Sequence, residues 1–230
     1  MRRALVAASL VVGLLSACAP QVPSLIRGEE RAPAGFPEQY YQDAILRQRP
    51  VFRVDPARSI VAIEVRRGGS LAQLGHDHVV ASHDVRGYVA PEERRADLYV
   101  PLDRLVVDEP GLRAEAGFHT EPSASDVAAT RQNMLEKVLE VERYPFALIS
   151  VGADNGGAGF SVSITLHGVT RSHPIEAKVE VTTDALGVSG QLALDQTEFG
   201  IVPFAILGGA IQVENRVNLR FDIRARRAIP

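Results

Sequence analysis

Three of the six histidines fall within eight residues, at His76, His78 and His83 of the run Leu74-Gly75-His76-Asp77-His78-Val79-Val80-Ala81-Ser82-His83. Imidazole is both a common metal ligand and an acid–base group that titrates near neutrality. Apart from its polar residues the run is built like a β-strand, in which side chains at i and i+2 share a face about 6.5 to 7 Å apart. His76 and His78 are therefore expected to look one way and Asp77 the other. His83 has the opposite parity and joins them only across a bulge or past the end of the strand. Two imidazoles on one strand can hold a divalent metal, with His83, His119, Asp77 or a residue of a neighbouring strand completing three or four ligands. No second ligand motif is visible in the chain. The same pair can equally serve as hydrogen-bonded side chains at the mouth of a β-barrel, facing a polar headgroup or water. His167 and His173 fall in an expected turn region and read as surface or turn residues.

Nothing else in the sequence assembles a catalytic set. There is no nucleophile elbow, phosphate-binding glycine loop or zinc-protease helix, and the expectation is a protein that is not an enzyme. The single cysteine, Cys18, follows Leu15-Ser16-Ala17, behind a basic Arg2-Arg3 pair and a short apolar run from Ala4 to Leu15. That run is too short for a free-standing membrane span and reads as a leader. The quartet resembles the lipobox of bacterial lipoproteins, which implies removal of residues 1–17 and acylation of Cys18. Ala19 in the next position implies sorting to the periplasmic face of a bacterial outer membrane. The mature chain then carries 23 basic against 28 acidic residues, a formal charge of −5, which gives no footprint for nucleic acid. Residues 18–50 hold five prolines and scattered charge and read as a tether. Within it, 36–49 (FPEQYYQDAILRQR) can form a short helix packing Tyr40, Tyr41, Ala44, Ile45 and Leu46 on the domain.

The elements that must position the histidines are mostly strands. Phe52–Pro56 reads as a strand and turn, and period-two alternation marks Ser59–Arg66, Asp97–Asp103, Phe160–Leu166, Ile175–Val181 and Val188–Leu194. It is longest over Ile211–Ala225, where the odd positions except Asn215 are apolar and the even positions all polar. A strand of that kind suits a strongly bent antiparallel sheet or barrel with a wet outer surface. One segment, Ser123–Arg143, has helical spacing (Val127, Met134, Leu135, Val138, Leu139), N-cap residues at its start and Tyr144-Pro145 at its end. Such a helix is expected to lie across an open end of the barrel as a lid. The run from Val106 to Glu121 reads as a long loop, His167–Thr170 with Arg171–Pro174 as a hairpin, and Phe199–Gly209 as a mobile apolar loop.

Four pieces together resemble the YceI-like family of periplasmic lipid-binding proteins. They are Phe52-Arg53-Val54-Asp55-Pro56-Ala57-Arg58-Ser59, Val141-Glu142-Arg143-Tyr144-Pro145-Phe146, Ile164-Thr165-Leu166-His167-Gly168-Val169-Thr170 and Thr197-Glu198-Phe199-Gly200-Ile201. Their order and spacing agree across about residues 51–227, within the expected domain 51–230. The resemblance implies a mainly β fold, a lipocalin-like eight-stranded antiparallel barrel with one amphipathic helix near an end. It also implies an apolar, isoprenoid-type lipid as ligand. The Gly75-His76-Asp77-His78 stretch, and Thr130–Leu135 in place of a histidine-bearing segment, mark a divergent branch. In such a barrel Phe160, Val162, Ile164, Leu166, Leu192, Leu194, Val217, Leu219 and Phe221, with Phe199 and Phe204, are the candidate lining. The same residues make an ordinary core if the interior is filled, in which case a structural envelope role follows. A metal- or redox-linked binding protein using His76 and His78 is the further alternative.

Overall fold

The computed structural model describes residues 32–153 and 159–230; the expected leader, Cys18 and the first part of the tether lie outside them. In chain order the elements are α1 Glu38–Leu46, β1 Phe52–Val54, β2 Ile60–Val65, β3 Arg67–Gly68, β4 His78–Ser82, β5 Arg86–Ala90, β6 Arg95–Pro101, β7 Val106–Val107 and α2 Pro110–Glu115. They continue with α3 Ala124–Asn133, β8 Phe146–Ala153, β9 Phe160–Leu166, β10 Val169–Ile175, β11 Ala177–Val181, β12 Ala185–Asp195, β13 Ala205–Ile206, β14 Ile211–Val213 and β15 Arg216–Arg227.

The fold is mainly β and antiparallel, organised around β15. Along one side of β15 runs β12, in register from Asp195↔Arg216 to Ala185↔Arg226. The other side is divided between β2, which pairs with Asn218–Asp222, and β1, which pairs with Ala225–Arg227. Ser59 sits buried where the partner changes, its hydroxyl donating to the Asp55 carbonyl at 2.8 Å and accepting from the Arg224 N–H at 3.0 Å. From β1 the sheet continues through β5, β6, β8 and β9 to β10, and from β2 through β4 to β7.

The expected closed barrel of eight strands is not what the hydrogen bonding forms. β10 pairs with β9 and β11 pairs with β12, with only Glu176 between them, so at these two ends of the sheet chain continuity and not a ladder joins the strands. The two-residue turn between β9 and β10 places His167 at φ 52° and Gly168 at φ 76°, the left-handed pair that matches hairpin twist. Arg171–Pro174 lie within β10 rather than in the turn.

Four other expectations are corrected. The alternating run Ile211–Ala225 is two strands: Asn215 leaves the ladder to bind the turn before it, its carbonyl accepting from Gln196 N–H at 2.9 Å and its side-chain oxygen from Thr197 N–H at 3.0 Å. β14 accordingly joins β13 and β3 in a separate three-stranded sheet. The helix expected over Ser123–Arg143 is regular only to Asn133. It opens on a reciprocal Ser123/Asp126 capping box and then widens over Met134–Val138, where the Leu139 N–H reaches the Met134 carbonyl five residues back. The widened turn swings Met134, Leu139 and Val141 onto the core of the sheet. Finally, the expected loop 106–121 contains β7 and α2, and the expected apolar loop after Phe199 begins with Phe199 and Ile201 fully packed.

Outside the sheet, α1 covers β5 and β6. Tyr41, Ala44 and Ile45 pack with Val51, Tyr88 and Ala90, and the Tyr41 ring stacks on Tyr88 at 5.0 Å. Leu46 points away and is exposed. The phenol of Tyr41 donates to Asp97 at 2.7 Å, and Asp97 also accepts from Ser150 at 2.6 Å and Arg95 at 2.7 Å. Burial opposes ionisation of Asp97, but these three bonds outweigh it and hold the carboxyl below the ordinary carboxylate range.

Candidate functional site

The register places one apolar face of the large sheet inward. Leu192 stands opposite Leu219 and Leu194 opposite Val217; Leu219 in turn faces Ile63 and Phe221 faces Val61; Ile149 faces Ile164 and Val151 faces Val162. These side chains form two apolar groups joined through Ile63, Val65, Leu139, Ile149 and Leu166, which pack against both. Gly190 lies opposite Phe221, and a Cβ there would stand 2.7 Å from the ring. The glycine is what lets that aromatic side chain fold back against the strand.

Nine of the eleven candidate lining residues are brought together. Val162, Ile164, Leu166, Leu192, Leu194, Phe199, Val217 and Leu219 belong to one group and Phe221 to the other. Phe160 and Phe204 stand apart from both groups: Phe160 lies under the Arg94 guanidinium at 4.9 Å, and the Phe204 carbonyl accepts from Val213 N–H beside the small sheet.

The inward face also has members not picked out as lining from sequence, chiefly Val61, Ile63, Leu98, Ile149, Val151 and Val188. The alternation of β2 and β6 carries the signal for Val61, Ile63 and Leu98. For β8 there is none, because Phe146 and Leu148 are apolar on the opposite face too. That face is covered by Tyr99, which stands opposite Leu148, and by Phe36, whose ring meets Tyr99 edge-on at 4.9 Å.

Although all these residues face inward, only part of the set is fully buried. Val61, Ile63, Val65, Val89, Leu98, Ile149, Leu192, Leu219 and Phe221 keep some surface uncovered, while Val162, Ile164, Leu194 and Val217 do not. An apolar face whose own side chains leave it half covered offers surface to an apolar guest.

The histidine stretch is at one end of this face. His78 opens β4 opposite Val65, so its ring shares the inward side with Ile63 and Val80. Its Nδ1 bonds Asp108 Oδ2 at 2.6 Å. Asp108 also accepts from the Val79 N–H at 3.0 Å and from Arg113 Nη1 at 2.6 Å. Arg113 further donates to the Asp77 carbonyl at 2.6 Å and to the Thr120 carbonyl. Side chains of Asp108 and Arg113 are 1% and 7% exposed, so this pair ties the segment 106–121 to the start of β4. Burial raises the Asp108 carboxyl, but the bonds from His78, Val79 and Arg113 prevail and keep it low.

His76 lies just before the strand, its ring centroid 6.3 Å from that of His78, and its Nδ1 is buried without a hydrogen-bond partner. Asp77, on the other side, accepts from the Arg67 N–H at 2.9 Å. His83 pairs with Glu109 at 2.7 Å on the surface and His119 is exposed. Among the described residues no three His, Cys, Asp or Glu side chains converge as a metal set. His173 lies in β10 and not in a turn. Asp108 and Arg113 are the partners that sequence reasoning missed, since nothing in their spacing relates them to His78.

The profile of the YceI-like domain matches residues 52–225. A polyisoprenoid binding domain from Saccharophagus degradans, described as implicated in plant cell wall breakdown, superposes with a TM-score of 0.56 at 12% identity, over 77% of this chain and 98% of that one. Burkholderia cenocepacia BcnA gives 0.49 at 15% identity, over 75% and 99%. A Campylobacter jejuni YCEI protein gives 0.41 at 13%, over 63% and 82%. At these identities the first likeness speaks to the fold. No curated protein sequence matches the chain.

Proposed function

The chain belongs to the YceI-like domain family, and from that premise we propose that it binds an apolar, isoprenoid-type lipid against the inward face of its sheet, as a carrier and not an enzyme. The observation that carries this reading is the half-covered apolar face running from β2 through β15 to β12 and across β8 and β9. A slender hydrocarbon chain gains about 0.8 kcal/mol for each methylene it buries, and a continuous row of Val, Ile, Leu and Phe is the surface that supplies this. The description of the Saccharophagus degradans domain as polyisoprenoid binding supports the same class of ligand. The segment Met134–Val138, with Val138 and Leu139 against the inner face, acts as the cover at one end.

In this reading residues 1–17 are removed, Cys18 carries the lipid anchor, and residues 18–50 tether the domain to the periplasmic face of the outer membrane. The Gly75-His76-Asp77-His78 corner is a specialisation of this branch, set at the rim of the apolar face. Native mass spectrometry of gently purified protein tests the ligand: a retained apolar mass released by organic solvent is expected, and a protein that stays empty even after incubation with polyprenyl lipid overturns the reading. A Cys18→Ala variant is expected to leave the membrane fraction, and its retention there would sink the anchor assignment.

A further inference from the structure

We propose that His76 and His78 together form a two-coordinate site for a copper(I) ion. The inference is independent of lipid binding and rests on three features of the corner.

The first is spacing. A metal–imidazole nitrogen bond is about 2 Å long and each ring nitrogen lies about 1 Å from its centroid, so two rings sharing an ion along nearly collinear bonds have centroids about 6 Å apart. Bonds at a tetrahedral angle would draw them to about 5 Å. The observed separation is 6.3 Å, with the ring planes at 71°, which suits the collinear arrangement.

The second is orientation. His78 Nδ1 bonds the buried Asp108 carboxylate at 2.6 Å, and a carboxylate in that position holds the proton on Nδ1 and leaves the Nε2 lone pair for a metal. Asp108 cannot swing away, because Val79 N–H and Arg113 hold its other oxygen. The third is the Nδ1 of His76, buried and unpartnered. Buried polar atoms in native proteins are nearly always paired, and an ion between the rings supplies that partner.

The surroundings select the ion. No third His, Cys, Asp or Glu completes a set among the described residues, whereas zinc sites take four ligands and divalent ions of the Irving–Williams series want more than two. Copper(I), with a filled d shell, accepts two nitrogens in line.

The test is a titration of the chain carrying Cys18→Ala, so that its one thiol cannot take the ion, with copper(I) under anaerobic ascorbate, in competition with a chromophoric copper(I) chelator. It is followed by X-ray absorption at the copper edge. One equivalent with two nitrogen neighbours is expected, and zinc(II) is expected to bind far more weakly. His76→Ala leaves every hydrogen bond of the corner in place and is expected to weaken copper(I) binding at least about 100-fold. His78→Asn keeps an N–H where Nδ1 donates to Asp108 but removes Nε2, so it separates loss of the ligand from loss of the fold. It is expected to lose copper(I) while its unfolding midpoint stays close to that of the parent. His83→Ala is expected to bind as the parent does. Copper(I) retained by either His76→Ala or His78→Asn, a parent that takes up none, or zinc(II) bound as tightly as copper(I) each overturns the proposal.

Discussion

Ile149 sits where the two apolar groups of the inward face meet, between Leu98 and Ile164 on the neighbouring strands. Ile149→Trp places an indole in the space a lipid chain would use. If that space is open, the ring displaces about three methylenes of ligand; at about 0.8 kcal/mol each this is about 2.4 kcal/mol, or roughly 50-fold in Kd. The fold itself should change by less than about 1 kcal/mol, because the new apolar surface finds room. If the face is instead filled by its own side chains, the same substitution overpacks it and costs about 1–3 kcal/mol, with no ligand affinity to lose. Urea unfolding and binding of a polyprenyl lipid, measured on the same two proteins, separate the cases. The natural sequence has no tryptophan, so the introduced indole is also the sole reporter of its kind, with emission shifted to the blue and quenched by a polyene ligand. Destabilisation by 1–3 kcal/mol, with lipid binding unchanged or absent in both proteins, would refute the argument from the half-covered face.

Three further outcomes test how the wall is built. Asp97 has a depressed carboxyl in the folded state, so its stabilisation is present above the unfolded value of about 3.9 and disappears as pH falls through the lower folded one. Asp97→Asn should flatten the acid limb of a stability–pH profile and cost about 1–3 kcal/mol at neutral pH, toward the lower end because Arg95 is partly exposed. A parallel acid limb would remove Asp97 from the account. Tyr41 behaves with the opposite sign: burial, then its bond to Asp97, pushes the phenol well above its usual range, so that contribution is present below about pH 10 and is lost as pH rises through the folded value. Tyr41→Phe should reduce the alkaline loss, leaving the part due to Tyr88 and Tyr99, whose phenols burial also raises. Gly168→Ala places a side chain at φ 76° with its Cβ 2.8 Å from the Tyr144 ring. The left-handed backbone alone costs about 1–2 kcal/mol, and hydrogen exchange should show the β9–β10 hairpin loosened; full protection would contradict the turn geometry.

The sequence by itself determined the period-two faces of β2, β6, β9, β12 and β15 and the capped start of α3, because each depends on neighbours only two to four residues away. Nine of the eleven candidate residues were gathered into the apolar groups of the sheet. Phe160 was not, because its parity is right but Arg94 covers its ring. Tertiary structure alone decided the rest. The alternation of Ile211–Ala225 runs on in the sequence, yet the strand is cut at Asn215 because the turn at Gln196–Thr197, about twenty residues earlier, takes that residue's carbonyl and side chain. β8 hides its inward face because its outward face is apolar too, beneath Tyr99 and Phe36. His78 owes its fixed ring to Asp108, thirty residues away, and to Arg113 behind it. Local periodicity says which way a side chain looks; which carboxylate or hydrocarbon surface it meets there depends on segments brought alongside only by the fold.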